Sequence, residues 1–441
     1  MPVDPVRDAA IDVLLRVFQR GVFLDVSLDK TLRRKKLSER GRRFLTQLVY
    51  GTVRHRALCD HVLRGICHQP LEKLPAPIFA ILRMAIYQSL FCGQVTHPAM
   101  VHTAVDLAKR RGHAGTARLV NAILRRAPQS LDAVKLPAPG TAAYLSVRYS
   151  VPSWLVALWL RECGQEKAEA LCAACAAQAP TTLRVNTLKT TPAALIERLG
   201  KSGIGAAKNT AIAEELTVVD GPHPVRTKWF EQGLFLLQDP ASMLPALLLE
   251  PRPGERVLDL CAAPGGKATH LAQRAGGKAR IVAMDVQAKR IGAILENVER
   301  LGMPQVAVLC GDGMRPPFDA VFDAVLVDAP CSGLGTLRRH PDVKWRVTPE
   351  AVARLAVQQQ ALLRSAVELC KNGGRIVYSV CTFSKAETED VIAAVLADGR
   401  VEPEDGAESL DTWKTAPGQY QTRPSAAAWD GFFLMRLRKV S

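Results

Sequence analysis

"RVLDLCAAPGGKATHLAQRA", residues Arg256 to Ala275, decides the fold. Its opening, "RVLDL", reads as a short buried strand. The loop that follows, "CAAPGGK", is built of small residues and leads into a helix, "KATHLAQRA". Strand, tight loop and helix form the repeating unit of a wound α/β sheet. Downstream, "RIVAMD", "VAVLCGD", "AVLVDAP" and "GRIVYSV" read as further short apolar strands. "AKRIGAILENVERLG" and "PEAVARLAVQQQALLRSAVELCKNGG" read as the helices between them, and "NGG" as a turn feeding the last strand. The alternation predicts a doubly wound, Rossmann-like α/β domain over residues 251–441, with ligands at the carboxyl ends of its strands.

The loop Cys261–Lys267 (Cys261, Ala262, Ala263, Pro264, Gly265, Gly266, Lys267) lets backbone approach a ligand closely, and the helix N-terminus behind it offers free N–H groups. It has neither the GxGxxG of a dinucleotide site nor the GxxxxGK[ST] of a P-loop. Three acids complete the pattern. Asp285 closes "RIVAMD" and suits a ribose diol. Asp312, in "CGDG", suits an adenine amino group, and Asp328 closes "AVLVD". One such Asp is commonly a helix cap. Three on one sheet edge beside a glycine-rich loop point to an adenosine-like ligand that needs no phosphate grip, and S-adenosylmethionine fits.

With 441 residues and 48% hydrophobic content the chain is expected to hold two or three cored domains. It contains no run of 18 apolar residues, and its start lacks the features of a signal peptide, so a cytoplasmic protein with no membrane span is expected. Eleven scattered cysteines do not suit a disulfide framework. Cys172 and Cys175 form a CxxC inside "ALCAACAAQA" and read as small core residues on one helical turn. With no second Cys or His pair, no metal is expected.

The net charge of +16 is uneven. Residues 1–136 carry 23 Lys and Arg against 10 acids, an excess of 13, whereas the remainder exceeds its acids by only 3. A polyanion-binding module and a merely basic surface both fit that imbalance. The same region reads as all-α: "DAAIDVLLRVF", "RFLTQLVYGTVRHRALCDHVL", "APIFAILRMAIYQSLF" and "PAMVHTAVDLAKR" carry apolar residues at three- and four-residue spacing. "QSLDAVKLPAPGTAAY" reads as a linker. Residues 144–250 mix strand-like and helix-like runs and predict a small α+β module. Arg184 and Asn186, ending "LRVN", suit either a phosphate or base contact or an exposed strand.

Two cysteines leave strands in this chain. Cys331 stands in "DAPCSG" and Cys381 in "YSVCTF". "VLDLCAAPGGKATHLA", "DAPCSGLGTLRRHPDVKW", "YSVCTFSKAETEDV" and "DGFFLMRLRK" together resemble the Sun (Fmu) family of RNA cytosine-C5 methyltransferases. "VYGTVRHR" and "RLVNAILRR" resemble a NusB-type RNA-binding domain. That arrangement is typical of the RsmB-type enzymes, which methylate a cytosine of small-subunit ribosomal RNA. The resemblance covers nearly the whole chain. It implies S-adenosylmethionine as cofactor, Cys261–Lys267, Asp285, Asp312 and Asp328 at its site, and Cys381 as nucleophile. "CAACAAQAP" and "QYQTRPSAAAW" depart from the family pattern.

The chemistry needs a thiolate to add to C6, because C5 of cytosine is otherwise a poor nucleophile. A second group must then help resolve the adduct. Cys331 is assigned to that step, and Asp328 to holding the base at N3. The expected partner is small-subunit ribosomal RNA and the expected state a monomer. Transfer RNA or DNA as substrate, with Cys331 as the nucleophile in a DNA-type scheme, and a non-catalytic RNA-binding factor are the alternatives.

Overall fold

The computed structural model describes residues 3–208, 211–317, 321–424 and 429–441, so residues 425–428 of the divergent "QYQTRPSAAAW" stretch lie outside it. The chain divides into two compact units. One is Met1–Gln178 with Leu337–Arg346; the other is Ala179–Thr336 with Val347–Ser441.

The first unit is helical, as the three- and four-residue periodicity predicts. Helices Pro5–Arg20, Leu24–Arg34, Glu39–Arg54, Arg56–Ile66, His97–Arg111 and Ala114–Leu124 share a core with Ala76–Phe91. Ala76–Phe91 is apolar around most of its circumference, which suits a central helix. Asp4 caps the first helix by accepting from the Val6 and Arg7 amides at 2.9 and 3.0 Å. Helix Ser153–Ala176 carries Cys172 and Cys175 into the interior, where both are buried.

Leu337–Arg346, the "RRHPDVKW" region, belongs to this helical unit although its sequence neighbours belong to the other. The Asp342 carboxylate accepts from the Leu24 amide at 3.1 Å and so caps a helix that has no side-chain cap of its own. Lys344 donates to the Arg54 carbonyl and the Trp345 indole to the Val53 carbonyl, both at 3.0 Å, satisfying the end of helix Glu39–Arg54.

The second unit holds two sheets. The smaller is antiparallel, with β1 (Thr182–Val185), β2 (Gly205–Lys208), β3 (Glu215–Asp220) and β4 (Phe235–Leu237) in the order β2-β3-β1-β4 and helix Pro192–Gly200 packed on it. Arg184 and Asn186 are buried, which excludes the exposed-strand reading. Arg184 Nη1 donates to Gln238 Oε1 and to the Gly266 carbonyl, both at 2.5 Å, and its Nη2 donates to Thr269 Oγ1 at 2.9 Å. Asn186 Nδ2 donates to the carbonyls of Gly233 and Leu301. Both side chains therefore join the small sheet to the loop–helix units of the larger one.

The larger sheet holds β5 (Arg256–Asp259), β6 (Arg280–Asp285), β7 (Val306–Cys310), β8 (Phe322–Asp328) and β9 (Cys370–Val380), in the order β7-β6-β5-β8-β9 and all parallel. It continues antiparallel through β13 (Phe432–Lys439), with β10 (Val401–Pro403), β12 (Gln419–Thr422) and β11 (Lys414–Ala416) beyond. The winding reverses between β5 and β8, which is where a doubly wound sheet opens its crevice. "NGG" is not a turn outside β9 but an irregularity within it, with Gly373 at φ +73° and a register shift against β8.

Candidate active site

The strand register explains the meeting of the two thiols. β8 and β9 are parallel neighbours with Asp328 beside Ser379. Ladder bonding continues past the strand ends: the Ala329 amide donates to the Ser379 carbonyl at 3.0 Å, and the Gly335 amide to the Cys381 carbonyl at 2.9 Å. Cys331 and Cys381 emerge from adjacent strands, and their sulfurs lie 3.2 Å apart. Gly335 makes the fit possible, because a Cβ there would stand 1.9 Å from the Gly431 carbonyl oxygen and 2.9 Å from that of Cys381. The Cys331 thiol is pushed well above its ordinary pKa by its hydrogen bond to Cys381, by burial, and by the charges of Cys381 and Glu387.

Asp328 closes β8 beside this pair. Its Oδ2 lies 2.7 Å from Lys267 Nζ, and its Oδ1 accepts from Ser379 Oγ at 2.7 Å. Burial works against the Lys267 charge, but Asp328 outweighs it and raises the lysine pKa. The ammonium also lies 5.5 Å from the centre of the Phe432 ring. Asp259, at the end of β5, is fully buried, and its carboxyl is pushed up to about 8 by burial and then by the charge of Asp328.

The loop Cys261–Lys267 turns between β5 and helix Gly266–Arg274. Gly265 sits at φ +97°, and a Cβ there would come within 3.2 Å of Ile294, so glycine is required on two counts. The Asp285 carboxylate is buried, accepts from the Ala263 and Gln287 amides, and pairs with Arg290 at 3.4 Å. Asp312 Oδ1 accepts from the Met314 amide at 2.9 Å, a local turn contact. Cys261 is half-buried against the sheet core, and burial followed by the charges of Asp259 and Asp328 raises its thiol, so it is poorly disposed to act as a nucleophile. The small-residue cradle, the buried acid ending β6 and the open first turn of the following helix fit an adenosine-bearing cofactor.

Glu387, Asp259, Ser379 and Arg290 escaped the sequence reading. An acid ending the apolar run "RVLD" was a readable signal for Asp259. Glu387 stands in "SKAETEDV", where nothing local separates a buried carboxylate from a solvated helix start.

Residues 246–438 match the model of the 16S rRNA methyltransferase RsmB/F family, residues 4–129 that of the NusB family, and residues 151–226 that of the ferredoxin-like domain of RsmF/B-like methyltransferases. The probable ribosomal RNA small subunit methyltransferase B of Bacillus subtilis is 34% identical over 446 residues, covering 98% of each chain. The ribosomal RNA small subunit methyltransferase B of Thermus thermophilus is 35% identical, covering 99% of this chain and 98% of that one. Among solved structures, PH0851 superposes with a TM-score of 0.83 at 26% identity, over 99% of this chain and all of that one. A methyltransferase homolog from Pyrococcus horikoshii gives 0.59 at 28% identity, over 69% of this chain and all of that one. No helix among the described residues is long and apolar enough to cross a membrane.

Proposed function

Because the chain belongs to the ribosomal RNA small subunit methyltransferase B family, we propose that it methylates C5 of a cytosine in 16S ribosomal RNA through a covalent adduct between Cys381 and C6 of the base. The coarser statement needs no proposal: the chain is an RNA methyltransferase, and its methyl donor is S-adenosylmethionine. The observation that most supports the finer one is the 3.2 Å approach of Cys331 and Cys381 beside the Asp328–Lys267 pair.

S-adenosylmethionine supplies the electrophilic methyl group. Asp285 and the loop Cys261–Lys267 would hold it, with Asp312 assigned to its adenine amino group. Lys267 holds Asp328, which would bind the base at N3 by sharing a proton with it, as donor in its protonated form, and so set C6 over Cys381. The target base must leave its stack to reach them. Cys381 lies in hydrogen-bond contact with Cys331, and its thiolate is the attacking form. Its addition to C6 would make C5 a nucleophile able to accept the donor's methyl group, with S-adenosylhomocysteine as the leaving group. Cys331 assists the last stage, in which the C5 proton leaves to solvent, the Cys381–C6 bond breaks and the C5–C6 double bond returns. Methyl thus replaces proton at C5, and Cys381 is restored.

The two thiols predict different failures. Cys381→Ala is expected to bind RNA and cofactor yet form neither product nor adduct. Cys331→Ala is expected to attack and methylate but to resolve slowly, so that a covalent protein–RNA band accumulates on denaturing gels. The opposite pattern would assign the attack to Cys331. Absence of 5-methylcytosine from 16S RNA treated with the wild-type protein and S-adenosylmethionine would overturn the C5 assignment.

A further inference from the structure

Glu387 is fully buried two residues before the helix Glu389–Leu396 begins, and its carboxylate reaches both thiol-bearing loops. Oε1 accepts from the Ser332 amide at 2.8 Å and from Gln359 Nε2 at 3.1 Å. Oε2 accepts from Ser332 Oγ at 2.5 Å and from Thr382 Oγ1 at 3.3 Å. Ser332 follows Cys331 directly, and Thr382 follows Cys381 directly. Gln359 adds a bond to the Pro330 carbonyl at 2.9 Å, on the other side of Cys331. Among the described residues, the groups that hydrogen-bond this buried carboxylate are all neutral.

That arrangement is costly unless it does something an apolar residue could not. A buried carboxylate is tolerated when its oxygens are well bonded, but well-packed apolar residues of similar volume are often as stable. What a carboxylate supplies here is two acceptors in a rigid plane, one for each loop, and a negative charge beside Cys331. We infer that Glu387 is a positioning residue for adduct resolution: it clamps the Cys331 loop to the Cys381 strand end and sets a buried carboxylate beside Cys331. This deepens the two-thiol reading and rests on it for its bearing on catalysis, while the clamp itself can be tested without RNA.

Two variants and two readouts carry the test. Glu387→Gln keeps the shape and one acceptor but removes the charge. Ser332→Ala keeps the charge but removes one clamp bond. In the full-length protein with Cys381→Ser, alkylation of Cys331 by iodoacetamide would be followed against pH by peptide mass spectrometry. Glu387→Gln is expected to move the midpoint lower by about one pH unit, as removal of a nearby buried charge does. With Cys381 intact, both variants are expected to bind S-adenosylmethionine as the wild type does, while the covalent RNA adduct decays about tenfold more slowly. An unchanged alkylation midpoint in Glu387→Gln, or unchanged adduct decay in both variants, would overturn the role. If Glu387→Gln does not fold, Ser332→Ala with normal adduct decay overturns it alone. A shifted midpoint in a protein that forms no adduct at all would leave the clamp standing and sink the methylation scheme instead.

Discussion

Arg184→Met tests how the small sheet is held to the cofactor loop. The guanidinium is wholly buried, and burial pulls its pKa down to about 9, so it remains charged at neutral pH. It gives three hydrogen bonds, to Gln238 Oε1, the Gly266 carbonyl and Thr269 Oγ1. A hydrogen bond from a charged donor contributes roughly 1.5–3 kcal/mol, so three have a gross value of about 4–9 kcal/mol. Relief from burying the cation returns several kcal/mol of that. The net loss is then about 2–4 kcal/mol, which lowers the melting temperature of a unit of this size by roughly 10 °C. Arg184→Lys keeps the charge but can satisfy fewer of the three acceptors, and it should fall between wild type and Met. The Gly266 carbonyl and Thr269 belong to the first turn behind the cofactor loop, so S-adenosylmethionine affinity should drop as well. Scanning calorimetry and titration calorimetry read the two effects. If Arg184→Met melts within a degree or two of wild type and binds cofactor equally well, the three bonds contribute nothing net and the account of this junction is wrong.

Three further outcomes follow from single contacts. Gly265→Ala forces a side chain onto φ +97° against Ile294, so it should cost about 1–3 kcal/mol and weaken cofactor binding, measured by thermal shift with and without S-adenosylmethionine. Asp342→Ala leaves the Leu24 amide buried without an acceptor, so the helical unit should lose about 1–2 kcal/mol in urea unfolding even though the substitution lies in the "RRHPDVKW" region. His55 is lowered from 6.5 to about 3 by burial and then by the charges of Lys344 and Arg54. The unfolded chain therefore binds a proton that the folded one refuses. Stability should fall as pH drops from about 6.5 towards 3, by up to several kcal/mol, and His55→Phe should flatten that limb of the unfolding curve.

Local pattern was enough for much of this protein. Apolar runs between turn residues placed β5 to β9, because a strand buried on both faces must be apolar throughout. Three- and four-residue spacing placed the N-terminal helices, because one stripe of each must meet a core. The loop Cys261–Lys267 and the two strand-end thiols were legible as candidates because short motifs are contiguous in the chain. What the tertiary structure decided was which distant groups meet. Cys331 and Cys381 are fifty positions apart, and only the neighbouring of β8 and β9 brings their sulfurs to 3.2 Å. Arg184 looked equally like a solvent-facing strand residue, since a strand's period does not say which face another element covers. Glu387 looked like any acid near a helix start until four donors from three segments surrounded it. Leu337–Arg346 follows the Cys331 loop in sequence yet completes the helical unit, because its Asp, Lys and Trp satisfy helix-end groups that no residue nearby in the chain can reach.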